Sequence, residues 1–217
     1  MSSSASPSTP NSGPPAAGDR DVRGLTGSTH FDQAGNVRMV DVSGKATTVR
    51  RAVASARLWL SAPAADIVRQ GGGKKGDVLA VARIAGINAS KQTSQLIPLC
   101  HAVPVEAVEI DFEWLEEQPL SQPESGRDVH SEPRRRIGPA GRTGLVVTAV
   151  VRTTAKTGVE MESLTAVTVA SLTVYDMLKS VDREIEVGQI RLVSKSGGKS
   201  GNFTRDQDAA SLRATKI

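Results

Sequence analysis

The sequence predicts an α+β domain of the ferredoxin-like kind. Its βαββαβ order gives an antiparallel sheet with two helices on one face. Three observations carry this. The apolar period switches between about two and about 3.6 residues in the order strand, helix, strand, strand, helix, strand. The two helical stretches are apolar on most sides, so each needs a sheet or another subunit to bury it. An internal stretch with four prolines and three glycines, 117–142, falls between the two middle strands, where a hairpin tip absorbs extra residues at small entropic cost.

Taken in chain order, residues 46–60 hold Val49, Val53, small alternating residues, Leu58 and Leu60, and read as a strand. Residues 77–97 read as a helix, with Pro98 just past its end. From 103 a strand follows, Val108, Ile110 and Phe112 facing one way and Glu109, Asp111 and Glu113 the other. Residues 145–154 alternate again, with Leu145, Val147, Ala149 and Val151 on the inner face. Residues 156–184 form a long helix, whose start is signalled by Thr157 with Glu160 three residues on, a capping-box spacing. A last strand near 187–193 carries Ile190 and Leu192.

The remaining segments have little to bury. Residues 1–28 form an N-terminal tail whose first 20 residues are rich in Ser, Pro and Gly and are expected to be disordered. The single catalytic domain is 29–203, with 117–142 as an inserted flexible loop carrying Arg134-Arg135-Arg136, and 204–217 is a C-terminal tail.

Composition excludes several classes. A chain of 217 residues is long enough for one real core. A formal net charge of +4 favours anionic partners without requiring nucleic acid. Aromatic content of 3% leaves little with which to build a base-stacking surface. One cysteine, Cys100, rules out a disulfide within the chain and suits a reducing compartment. No apolar run reaches the roughly 18 residues of a membrane span, and no signal peptide precedes the domain. The expectation is a cytoplasmic protein with no membrane partner.

Four clusters can carry chemistry. Gly71-Gly72-Gly73-Lys74-Lys75-Gly76-Asp77, at a helix start, suits an anion and equally suits a plain connector. In Pro98-Leu99-Cys100-His101 the histidine is either a proton carrier or a structural helix-end residue. One Cys beside one His does not make a zinc site, so no metal is expected. Asp176 and Lys179 stand at i,i+3 and can touch, and Glu162, about four turns earlier, shares their face. An ordinary helix with one salt bridge explains that spacing too. Lys195-Ser196-Gly197-Gly198-Lys199-Ser200-Gly201 ends like a P-loop, but Val193 stands where that motif needs glycine and no helix follows. Phosphate binding through its amides and lysines remains open. Lysines, a histidine and an aspartate at element ends suit proton transfer on a polyanionic small molecule.

Residues 84–101 (I-A-G-I-N-A-S-K-Q-T-S-Q-L-I-P-L-C-H), 156–177 (K-T-G-V-E-M-E-S-L-T-A-V-T-V-A-S-L-T-V-Y-D-M) and 195–201 (K-S-G-G-K-S-G) closely resemble the cyclic pyranopterin monophosphate synthases. These form the MoaC family of molybdenum cofactor biosynthesis, and residues 30–45 resemble it as well. The resemblance runs from about Thr29 to Phe203. It implies a ferredoxin-like subunit in a homohexamer, a trimer of dimers, with active sites at subunit interfaces. The implied reaction is a phosphorus–oxygen lyase step. It converts (8S)-3′,8-cyclo-7,8-dihydroguanosine 5′-triphosphate to cyclic pyranopterin monophosphate, releasing diphosphate, with no cofactor. By position, Asp176 resembles the family's catalytic aspartate, and Lys179 and Lys75 its active-site lysines. Leu99, Cys100 and His101 resemble one substrate-binding string, Met161 and Glu162 another, and Arg50 and Lys195 further anion contacts. Two departures stand out: Ala102 replaces the family's proline after the histidine, and 117–142 is an insertion.

Two rival expectations have distinct signatures. A non-catalytic nucleotide-binding module would bind triphosphate without releasing diphosphate. A nucleic-acid binder acting through 134–136 and the lysine-rich loops would show strongly salt-dependent affinity.

Overall fold

The computed structural model describes residues 35–72, 76–115, 139 and 141–205, and the backbone of 214–216. Lys75, the arginine run 134–136, nearly all of the 117–142 insertion and the N-terminal tail to residue 34 lie outside the described residues. Two units partition the chain at Val40, and every described helix and strand lies in the second, Asp41–Ile217.

The elements are β1 (Thr48–Leu60), α1 (Ala62–Arg69), α2 (Val78–Lys91), α3 (Thr93–Leu96), β2 (Ala107–Leu115), β3 (Thr143–Ala155), α4 (Glu160–Leu178), β4 (Glu186–Ser196), β5 (Phe203–Thr204) and β6 (Ala214–Lys216). The sheet order is β5-β4-β1-β3-β2-β6, every pair antiparallel. The central four strands, 4-1-3-2, are the ferredoxin-like arrangement that the alternation of periods predicts.

One side of the sheet forms the core. Ala54, Ala56, Leu58 and Leu60 of β1 and Leu145, Val147 and Ala149 of β3 pack under Ala82 of α2 and Ala166, Val167, Ala170, Val174 and Leu178 of α4. Ile110 and Phe112 join them, as the period-two reading of β2 requires. The two helices approach closely at Gly86, where a Cβ would stand 2.9 Å from the Ala166 carbonyl and 2.4 Å from Ile110 Cδ1. A side chain there would force the helices apart in a core with no room to yield.

Four details correct the sequence reading. The helix expected over 77–97 is two: α2, capped by Asp77 on the amides of Leu79 and Ala80, and the short α3. The chain breaks at Gln92, and the Thr93 hydroxyl returns to the Ala89 and Ser90 carbonyls. Residues 62–69 form an unexpected helix, whose signal was Ser61 followed by a proline in the first turn. β2 begins at Ala107, four residues later than read. The capping box at the start of α4 does not form: Val159 is the N-cap, with no side-chain cap, and Glu160 is already helical. Glu160 instead turns toward Lys195, at 3.7 Å.

The register fixes what stands at each end of the sheet. Thr48 pairs with Ala155, and Arg51 with Ser196, so the start of β1 meets the ends of β3 and β4. Leu60 pairs with Thr143, and Trp59 with Glu186, so the opposite end gathers the end of β1 and the starts of β3 and β4. α4 follows β3 and precedes β4, and so runs from the first end to the second.

Candidate active site

Where β1 starts and β3 and β4 end, the chain builds a cationic pocket of about 550 Å³. Lys45 reaches it from the turn before β1, Arg50 from β1, Lys156 from the end of β3, and Lys199 from the loop after β4. Glu160, at the start of α4, is its acid. Arg50 is only 8% exposed. Its Nε donates to the Ala155 carbonyl at 3.2 Å and its Nη2 to the Lys156 carbonyl at 3.2 Å, which fixes the guanidinium. Gly197 and Gly198 cross it with φ of +92° and +80°, and a Cβ on Gly198 would lie 1.6 Å from Arg50 Nη1. Only glycine permits that backbone that near the arginine. Lys156 Nζ donates to the Ser43 carbonyl at 2.7 Å, bracing the turn that carries Lys45. Lys195 bonds the Ser200 hydroxyl and faces Glu160.

A second pocket, about 260 Å³, adjoins the first and shares Lys156 and Thr157 with it. His101, Val103 and Pro104 line it, along the extended chain that leads into β2. The Thr153 hydroxyl bonds the Pro104 carbonyl and ties that chain to β3. A charged basin beside a smaller, mostly apolar pocket with one imidazole suits a molecule with phosphates at one end and a ring system at the other.

Beneath this end of α4 lies a buried acid. Glu162 is 2% exposed, its Oε1 accepts from Cys100 Sγ at 3.6 Å, and its Oε2 has no hydrogen-bond partner among the described residues. Burial pushes the carboxyl above its ordinary range, and Glu160 adds to this, against the Cys100 hydrogen bond and the backbone. The Cys100 thiol is pushed up to about 11, by burial first and then by the Glu162 carboxyl. Met161 is partly exposed at the same turn, and Leu99 partly buried.

Asp176 and Lys179 touch, as their spacing predicts, at 2.6 Å. Both are exposed, at 57% and 52% of their side chains. The hydrogen bond and charge of Asp176 raise the Lys179 pKa and hold the amine as an ammonium. Asp176 lies 14 residues beyond Glu162, about 21 Å along the axis at ~1.5 Å per residue. Thus, of the residues singled out in the sequence, one chain brings together Arg50, Lys195, Cys100, His101, Met161 and Glu162 but leaves Asp176 and Lys179 at the other end of the sheet. Lys75 lies outside the described residues. Of the pocket's lysines, Lys199 belongs to the 195–201 loop that the sequence leaves open to phosphate, whereas Lys45 and Lys156 carry no such reading. Their signal is weak: Lys45 follows Gly44 in the turn before β1, and Lys156 directly follows the end of β3.

The model of the MoaC family matches residues 39–198. A cyclic pyranopterin monophosphate synthase of Rhodopirellula baltica is 59% identical over 179 residues, 82% of this chain and 94% of the relative. That of Thermomicrobium roseum is 46% identical over 84% of this chain and 95% of its own length. Cyclic pyranopterin monophosphate synthase 3 of Mycobacterium tuberculosis is 47% identical over 82% of this chain and 86% of its own. The matched span covers all four central strands, α2, α4 and both pockets but for the last residues of the loop after β4. With identity this high over this much of the fold, the chain belongs to the MoaC family.

Proposed function

We propose that the protein converts (8S)-3′,8-cyclo-7,8-dihydroguanosine 5′-triphosphate to cyclic pyranopterin monophosphate with release of diphosphate, a lyase step of molybdenum cofactor biosynthesis. The observation that carries this reading is the pocket of Lys45, Arg50, Lys156 and Lys199 beside the His101 pocket. Four cations at the converging ends of three strands form a seat for a triphosphate and for the diphosphate that leaves. Forming the cyclic phosphate joins a substrate hydroxyl oxygen to the α-phosphorus and breaks the bond from that phosphorus to the bridging oxygen. The hydroxyl proton goes to a base, and the diphosphate departs with its charge held by the lysines.

Asp176 and Lys179 are the proton-handling pair. Lys179, held as an ammonium by Asp176, gives a proton or stabilises developing negative charge, and Asp176 accepts one. Lys75 is the third catalytic group, His101 relays protons, and Leu99, Cys100, Met161, Glu162, Arg50 and Lys195 hold the substrate. Residues 29–203 form the catalytic domain. The two halves of this machinery lie about 21 Å apart in one chain, which supports a site shared by two copies; the assembly proposed is a cytoplasmic homohexamer, a trimer of dimers. Among the described residues no helix is long and apolar enough to cross a membrane.

Incubation with the cyclised guanosine triphosphate should yield the pterin product and one diphosphate per turnover. Lys179→Ala and Asp176→Asn should each cost roughly 10²–10³-fold in kcat. Tight triphosphate binding with no diphosphate released would show a binding module instead, and near-full turnover in either variant would remove that residue from the mechanism.

A further inference from the structure

We propose that Arg142 and Asp182 form a latch that positions Asp176 and Lys179, so that the last residue of the 117–142 insertion governs turnover rather than substrate affinity. The inference rests on the reading that Asp176 and Lys179 carry the chemistry. Asp182 stands in the turn after α4, four residues past Leu178, and is 7% exposed. Its Oδ2 accepts from the Ser61 amide at 2.8 Å and from Arg142 Nη1 at 2.9 Å, and its Oδ1 from the Glu184 amide at 3.0 Å. Arg142 Nη1 also donates to the Trp59 carbonyl at 3.4 Å, and its Nη2 to Glu184 Oε2 at 2.8 Å. The arginine is aimed by a turn in which Gly141 takes φ +75° and the Arg142 amide bonds the Pro139 carbonyl at 3.3 Å.

The pair thus joins three elements: the end of β1, the start of β3 and the turn after α4. That turn closes on the helix through the Val181 and Asp182 amides, both on the Leu178 carbonyl, at 2.8 and 3.0 Å. The Tyr175 hydroxyl donates to the Arg183 carbonyl at 3.3 Å and ties the turn back to the residue before Asp176. Asp176 and Lys179 are exposed, touch each other and stand on the last turn of α4 and its cap, so the direction of that turn sets where they point. A carboxylate with three donors and little water around it fixes that turn far better than a solvent-exposed pair would. Burial acts to raise the Asp182 carboxyl, but the Ser61 and Glu184 hydrogen bonds and the Arg142 charge outweigh it and keep it below the ordinary range. The phosphate pocket is at the far end of α4 and shares none of these contacts.

The test compares Arg142→Met, Arg142→Lys and the milder Glu184→Gln in the full-length protein, using the cyclised guanosine triphosphate as substrate. Arg142→Met should lower kcat about tenfold with KM within about twofold, because an interaction made in the transition state is lost while phosphate binding stays. Arg142→Lys should recover most of the kcat, and Glu184→Gln, which removes only the exposed half of the fork, should cost less than about threefold. Hydrogen exchange in Arg142→Met should speed by about tenfold at the Val181 and Asp182 amides and stay unchanged at Ser163, in the first turn of α4. Wild-type kcat in folded Arg142→Met overturns the latch, as does a KM that rises with the loss of kcat, or unchanged exchange at 181–182. Should Arg142→Met not fold, Asp182→Asn takes its place, with the same expected tenfold loss of kcat and the same three results overturning the latch. Wild-type protein that makes no pterin overturns the functional reading, and the exchange measurement still decides whether the latch holds the turn.

Discussion

The two ends of α4 solve opposite problems. At its N-terminal end the helix starts among Lys45, Arg50, Lys156 and Lys199, and it buries a carboxyl, Glu162, that burial favours as the neutral acid. At its C-terminal end it presents Asp176 and Lys179 to solvent, in contact at 2.6 Å. The N-terminal arrangement accords with the helix dipole, whose positive end adds to a seat for anions. The difference teaches where each kind of residue can act. The buried end is shaped before substrate arrives, whereas the exposed pair gains a dry environment only when something covers it, and in the proposed hexamer that cover is another copy.

This contrast breaks most sharply in a mixing experiment. Arg50→Ala disables the anion end and Asp176→Asn the proton-transfer end, and each alone should lose roughly 10²–10³-fold in kcat/KM. If each site takes its two ends from different copies, co-refolded mixtures of the two variants contain sites with both ends intact and should regain activity well above either parent. Mixtures as inactive as their components, despite exchanged subunits, would put both ends of every site in one chain. A smaller effect is expected from Gly198→Ala. It leaves every charge in place but sets a methyl against Arg50 Nη1 at a φ of +80°. About 1–3 kcal/mol of strain should weaken substrate binding by about 10-fold or more, seen as a raised KM with kcat nearly kept.

The sequence made the frame legible because the frame rests on periodicity. β1, β3 and the inner face of β2 alternate clearly, and the core residues expected of Leu145, Val147, Ala149 and Val151 are buried. The pairing of Asp176 with Lys179 followed from helical spacing alone. The pocket lysines did not, because Lys45, Lys156 and Lys199 are remote in the chain and meet only through the β1–β3 and β1–β4 registers. The failed capping box has a similar cause: a distant partner, Lys195, competes for Glu160 against a purely local cap. Nor could spacing reveal that Glu162 and Asp176, on nearly one face, stand in different surroundings, since exposure is set by what packs over each turn.

The latch end of α4 depends on pH through Asp182. Asp182 has a folded pKa below its unfolded value, which is about 3.9. Its contribution to stability is therefore fully present above about pH 4 and is lost as pH falls through the lower folded value. Asp182→Asn should cost about 1–3 kcal/mol near neutrality, and the gap in Tm between variant and wild type should close on acidification. A gap that stays constant from pH 7 to pH 3 would show that packing, not the ionised carboxylate, holds the turn.

The smallest effect is expected at the other end of the helix, and its sign is reversed. Glu162 has a folded pKa above its unfolded value of about 4.3, so at pH between those two values the native state holds a proton that the unfolded chain has released. Its contribution is fully present below about pH 4 and is lost as pH rises through the raised folded value. Glu162→Gln keeps the shape and an acceptor for the Cys100 thiol but cannot ionise. It should match wild type near pH 4 and exceed it at pH 8, by on the order of 1 kcal/mol. Because the chain holds one cysteine, thiol absorbance gives an independent reading at the same site. The wild-type thiol should titrate at about 11, with burial the larger cause and the nearby carboxyl the second. Removing that carboxyl's charge should move the thiol part of the way back toward ordinary values, with burial retaining the rest. A thiol that titrates identically in both proteins, together with equal stabilities at pH 8, would mean that Glu162 carries no charge penalty, and the contrast between the two ends of α4 would then reduce to solvent exposure alone.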